Sequence, residues 1–235
     1  AYLSKLPSAE DLAAYGSAMQ VSVIFSQYFV VLNNAFIAKL PTISVLNGSQ
    51  SMARFGFYLT VIPAIGFASI FIAFPSLAES IFGVGFKGFY SNGLMIWIML
   101  ALVLNSVKTM IFRSIIQHGV YRISVVSGFS WLLTLVLLVT IFGIESSVDA
   151  AKIYFMSLLI STILMIPVFS YYRIILWSSV FKKENLSFFL SFSIFAALFL
   201  CIDTFSLMNR LLILIGFYML IAVIFFSEIY YDKKM

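Results

Sequence analysis

The chain has 235 residues, 63% of them hydrophobic and 10% charged, with a mean hydropathy of +1.09. A soluble domain carries about a quarter charged residues, so this excess of apolar surface excludes a water-soluble globule and implies an integral membrane protein. The formal net charge of +5 does not point to nucleic acid, because basic residues in such a protein mark one side of the bilayer, and a single cysteine, Cys201, excludes a disulfide framework or a thiolate metal site.

The apolar runs are long and continuous. They suit helices of about 20 residues crossing about 30 Å of hydrocarbon, not the short alternating strands of a barrel. The expected fold is therefore all-α and polytopic, with about seven transmembrane helices. The opening "AYLSKLPSAEDLAAYG" is polar and contains no secretory signal. The first span is expected at 15–38 and the second at 55–82, separated by the breakers in "PTISVLNGSQS". The third follows at 92–116, after "GVGFKGFYSNG", and the fourth at 123–144, after "QHGVYR". The fifth is expected at 151–178. Two more, at 187–203 and 209–228, form a tight pair that only just spans. The first five make a bundle over 1–180, and the last two an additional C-terminal hairpin over 181–235.

Charge sets the orientation. Lys39, Arg54, Lys108, Arg113, Arg122, Arg173, Lys182, Lys183, Lys233 and Lys234 fall on one side, against Lys5, Lys87, Lys152 and Arg210 on the other. The basic side is cytoplasmic by the positive-inside rule, which places the first residue outside and the last inside. Glu10, Asp11, Glu79, Glu145, Asp149 and Asp203 then fall outside. An outside start without a signal sequence predicts that further spans precede Ala1, so that the chain is the C-terminal part of a longer protein.

Within the first span, Gln20, Gln27 and Asn34 stand seven residues apart, with Asn33 adjacent. Seven steps of about 100° fall about 20° short of two turns, so the three amides form one stripe about 21 Å long. Amides facing acyl chains would leave donors and acceptors unsatisfied. The stripe is therefore expected to pack against another helix or to line a polar path for a hydroxyl-rich substrate. In the third span, Asn105 and Lys108 share a face, and Arg113 shares another with Gln117. Lys108 either snorkels to the interface or offers a cationic site for an anionic group. Pro63, Pro75 and Pro167 interrupt apolar runs, as packing kinks or as hinges.

Other patterns carry less. "GVGFKG" matches a dinucleotide fingerprint, but no strand precedes it, so it is a tight loop. Asn47 and Asn185 head glycosylation patterns on the cytoplasmic side. His118, the one histidine, has no carboxylate or cysteine beside it in sequence. Asp203 and Arg210 could pair across the link between the last two spans. No catalytic motif, metal site or cofactor site is expected, and the chain is not expected to be an enzyme.

The stretch "AAYGSAMQVSVIFSQYFVVLNNAFIAKLPTISVLNGS" and the block "IFIAFPSLAESIFGVGFKGFYSNG" resemble the polysaccharide flippases of the multidrug/oligosaccharidyl-lipid/polysaccharide superfamily. The resemblance covers roughly 13 to 175. It implies one lobe of a transporter with twelve to fourteen helices, which moves lipid-linked oligosaccharide across a bacterial or archaeal cytoplasmic membrane by alternating access. It implies as partners the bilayer, a lipid-linked saccharide and an N-terminal lobe of the same protein, and no nucleic acid. Gln20, Gln27, Asn33, Asn34, Asn105, Lys108 and Arg113 are the substrate-path candidates. The alternatives are a drug or cation antiporter of the same superfamily, a polysaccharide-assembly membrane enzyme, or a non-catalytic membrane subunit. The antiporter is disfavoured because no span carries an Asp or Glu at mid-depth.

Overall fold

The structure, a computed structural model, describes residues 8–82, 92–117, 120–171, 183–201 and 206–232; for 33–58, 82, 92, 113–114, 116–117, 183–185, 201 and 225–232 it describes the backbone alone. All regular structure among these residues is helical. In chain order the helices are α1 (Ala9–Ala73), α2 (Ser76–Phe82), α3 (Asn92–Gln117), α4 (Arg122–Phe142), α5 (Ser147–Tyr171), α6 (Lys183–Cys201) and α7 (Leu207–Asp232). Five segments are long and apolar enough to cross a membrane: Ala9–Leu32, Gly93–Phe112, Arg122–Phe142, Ser147–Tyr171 and Leu207–Ile224. Leu59–Ala73 and Leu186–Leu200 are shorter apolar stretches. The protein is thus an all-α polytopic membrane protein.

The first two expected spans lie in one element. α1 is 65 residues long and retains helical backbone through "PTISVLNGSQS", where a loop was expected. It is not one straight rod. Thirty-one residues of straight helix would separate Tyr28 from Leu59 by about 46 Å, yet the Tyr28 hydroxyl donates to the Leu59 carbonyl at 3.0 Å. The Phe25 and Phe67 rings also meet at 4.6 Å. The chain therefore reverses between these residues and packs its two ends together, as two antiparallel spans would.

α1 begins at Ala9, six residues earlier than expected. Ser8 caps it, accepting from the Asp11 amide at 3.0 Å, and a capped helix extends through polar sequence that hydropathy alone would leave out. Pro75 acts as a full break, not a kink. α1 closes at Ala73, Phe74 donates its amide to the Ile70 carbonyl at 2.9 Å, and α2 starts after the proline. Pro63 and Pro167 lie inside α1 and α5.

The larger of two buried apolar clusters joins the helices, and a smaller one, Ile111, Ile115, Ile123, Met165 and Phe169, lies between α3, α4 and α5. On α1, Ala14, Ala18, Ala64 and Ala68 are all at most 2% exposed. These small residues four apart let backbones approach closely, which matters where lipid removes the hydrophobic drive for helix association. Leu94, Met95, Ile98, Met99 and Leu102 of α3 pack in the same core. Phe188, Phe192, Phe195 and Phe199 of α6 and Phe217 of α7 complete it. The C-terminal pair is therefore packed into the bundle. The outer face of α4 is different in kind: Val125, Val126, Phe129, Leu132, Leu133, Val136 and Leu137 are each at least half exposed, as suits acyl chains.

Polar contacts tie several helix ends together at one end of the bundle. Asp11 accepts from the Ser147 amide at 3.0 Å, so one carboxylate serves the N-termini of α1 and α5. Arg210 donates to the Ala73 carbonyl at 3.1 Å and stands 5.9 Å from the Phe199 ring centroid. The start of α1 thus meets the start of α5, and the end of its second half meets the start of α7. Asp203, the partner expected for Arg210, lies outside the described residues. Arg210 instead supplies a cation to the C-terminus of α1, where carbonyls lack helical partners.

Candidate functional site

The strongest polar feature is a cleft of about 420 Å³ between α3, α4 and α5. Each wall arises from residue spacing. Asn105, Lys108, Thr109 and Phe112 lie at three- and four-residue steps on one side of α3. Ser124, Ser127, Gly128 and Trp131 form the same kind of stripe on α4, opposite its lipid-suited face. Tyr154, Leu158, Thr162 and Phe169 close the cleft from α5.

The serines of α5 are wired as acceptors. Ser157 and Ser161 donate their own protons to the carbonyls of Tyr154 and Leu158, at 2.7 and 3.0 Å. A hydroxyl so committed keeps its lone pairs for incoming donors. Ser157 receives the Trp131 indole N–H at 3.1 Å, and Ser161 receives the Lys108 ammonium at 3.4 Å. The Trp131 ring stands edge-on to Tyr154, with centroids 6.2 Å apart at 88°. These contacts hold the aromatic pair in place.

Lys108 is the cation of the cleft. It sits in the apolar segment Gly93–Phe112, about 24 Å along α3 from Asn92. Among the described residues no carboxylate lies within ion-pair distance of it, and Ser161 takes only one of its three N–H groups. The ammonium is therefore turned toward α5 inside the bundle and retains donors for a further group. A fixed positive charge in a space of this size can bind an anion, while the surrounding hydroxyls and amide can take up hydroxyl groups.

The sequence candidates separate into two places. Asn105 and Lys108 come together in the cleft, as their shared face predicted. Gln20 and Gln27 are exposed and line no part of it. They lie on the side of α1 facing away from the core residues Ala14, Ala18, Val21 and Phe29, so the expected packing of this stripe against a neighbouring helix is not made by any described helix of this chain. Asn33, Asn34 and Arg113 have helical backbones, but their side chains lie outside the described residues, as do His118 and the "GVGFKG" segment. Ser124, Ser127, Trp131, Tyr154 and Thr162 were not singled out in the sequence. Their signal was the recurrence of small hydroxyl residues at three- and four-residue steps within two strongly apolar spans.

A second cleft, of about 330 Å³, lies toward the other end of α4 and α5 and includes Glu145, Asp149 and Lys152. Asp149 is already engaged with Ser146 at the N-terminus of α5, accepting its hydroxyl at 2.8 Å. Gly143 closes α4 beside it with φ 69° and ψ −177°, a region essentially restricted to glycine. Among the described residues no group of three His, Cys, Asp or Glu side chains could hold a metal ion.

No known family model matches the chain, and neither a curated protein nor a solved structure does.

Proposed function

We propose that this chain is part of a membrane transporter that carries a lipid-linked oligosaccharide across the cytoplasmic membrane, and that the cleft between α3, α4 and α5 receives its polar headgroup. The observation that carries this reading is Lys108, an ammonium within an apolar span that faces a polar cleft and no described carboxylate. A charge at this position is costly in a membrane and tends to be kept for function. An anionic linkage would meet Lys108, and sugar hydroxyls would meet Asn105, Ser127 and Thr162. The resemblance of the 13–175 region to polysaccharide flippases supports the same class of substrate. The lipid portion fits the exposed apolar faces that flank the bundle, such as that of α4.

The test is transport. Cells or vesicles containing the whole transporter of which this chain is part should move the lipid-linked saccharide, and Lys108→Gln should lower the rate at least tenfold while Lys108→Arg retains most of it. Equal rates in wild type and Lys108→Gln, with equal protein in the membrane, would refute the assignment.

A further inference from the structure

The two amides of the first span need a different account from the cleft. Residues 12–38 contain no charged side chain, and the midpoint of that run is Phe25. Gln27 therefore lies about 3 Å from the centre of the apolar stretch and Gln20 about 8 Å from it. Headgroups are too far to serve them. Both side chains are exposed, on the side of α1 roughly 140–160° from the direction of Ala14, Ala18, Val21 and Phe29. Their neighbours on that side are apolar: Val23 is 41% exposed, Ile24 53%, Val30 50% and Val31 67%. Amides in hydrocarbon without partners are strongly disfavoured. Some other body covers this face.

We propose that the body is a second copy of the chain, joined along the Gln20–Gln27 face of α1. Three features favour a copy over an unrelated helix. The carboxamide is both donor and acceptor, so the same patch can pair with itself, which an ammonium or a carboxylate cannot do. The exposed residues Gln20, Val23, Ile24, Gln27, Val30 and Val31 follow a seven-residue repeat, the seam of a left-handed helix pair crossing at about 20°. Gly16 lies on the same stripe one turn before Gln20, and a Cβ there would meet nothing within 4 Å. Its small size thus serves no close contact inside this chain, but it would let a second backbone approach from outside.

Symmetry makes the pairing definite. Two copies inserted with the same orientation are related by a two-fold axis normal to the membrane, and the interface is isologous. The two α1 helices then run parallel at equal depth, so Gln27 meets the same residue of the second copy and Gln20 does likewise. The lipid-suited face of α4, which carries no such amides, stays in contact with acyl chains.

Disulfide trapping in native membranes tests this without disturbing the amides. In a Cys201→Ser background, single cysteines at Val23→Cys and Val30→Cys should oxidise to covalent dimers at least fivefold more than Val126→Cys or Leu133→Cys on α4. In liposomes of a neutral phospholipid, the dimer dissociation constant read by energy transfer should rise at least tenfold in the Gln20→Leu, Gln27→Leu double variant. Helicity by circular dichroism should not change. Equal trapping on α1 and α4 would overturn the proposal, and so would an unchanged dissociation constant. A monomeric chain whose Val30→Cys thiol reacts with a membrane-impermeant maleimide would overturn it too, by showing that water covers this face. Trapping of Val23→Cys or Val30→Cys to a different polypeptide would replace the second copy with that partner.

Discussion

The Tyr28 hydroxyl donates at 3.0 Å to the carbonyl of Leu59, the one carbonyl in the second half of α1 that Pro63 deprives of its helical donor. Proline has no N–H, so the residue four before it loses its bond, and lipid offers no replacement. A tyrosine on the facing half of the same helix supplies it. Tyr28→Phe should therefore destabilise the protein by about 1–2 kcal/mol, the cost of a buried acceptor left unsatisfied. Pro63→Ala restores the backbone donor, so Tyr28→Phe in a Pro63→Ala background should cost little. A double-mutant cycle of unfolding free energies in mixed micelles measures both, and additive losses would contradict the pairing.

Arg210 links the start of α7 to the carbonyl end of α1 through Ala73, with Phe199 beneath its guanidinium. Arg210→Met keeps the stem and removes both the donor and the charge. It should destabilise by about 1–2 kcal/mol, seen as an earlier melting transition, because a carbonyl at the negative end of a helix loses a cationic donor. Arg210→Lys should recover part of this.

Asp11 serves two helix N-termini, through Ser8 and the Ser147 amide. Asp11→Ala leaves the Asp11 amide on Ser8 but should cost about 1–2 kcal/mol, through loss of the acceptor for the Ser8 hydroxyl and the Ser147 amide and of a favourable charge at two positive helix ends. Asp11→Asn keeps an acceptor and should cost less. Ser147 amide exchange with deuterium should quicken in Asp11→Ala and change little in Asp11→Asn.

Within the cleft, Ser157 fixes the Trp131 indole. Ser157→Ala removes the acceptor and frees the ring, so in a Trp97→Phe, Trp177→Phe background the Trp131 fluorescence anisotropy should fall, with a stability loss of about 1 kcal/mol. Ser161→Ala should leave the Trp131 signal unchanged, since Ser161 faces Lys108 instead.

Hydropathy made the helical class and most of the spans legible, because lipid demands long apolar runs and little else imitates them. Termini were less legible where local chemistry decides. Ser8 extended α1 by its side-chain cap, and Pro75 ended α1 outright where a kink was expected. The reversal inside α1 was foreseen as a loop, yet its backbone stays helical; breakers such as Pro41 and Gly48 mark a bend without specifying its geometry. Asn105 and Lys108 were legible as one face because helical spacing fixes which residues neighbour each other within a helix. The α4 and α5 walls were not, because which face of one helix meets another depends on packing across the bundle. The amide stripe shows the same limit. Seven-residue spacing put Gln20 and Gln27 on one side of α1, and only the packed structure shows that this side turns away from the core.

The most direct test of the account is the affinity of the protein in nanodiscs for a lipid-linked oligosaccharide, measured for wild type, Lys108→Gln and Lys108→Arg. Lys108→Gln should lose at least tenfold in affinity, about 1.4 kcal/mol or more, and Lys108→Arg should stay near wild type. Equal affinity in all three would contradict the assignment of the α3–α4–α5 cleft as the headgroup site.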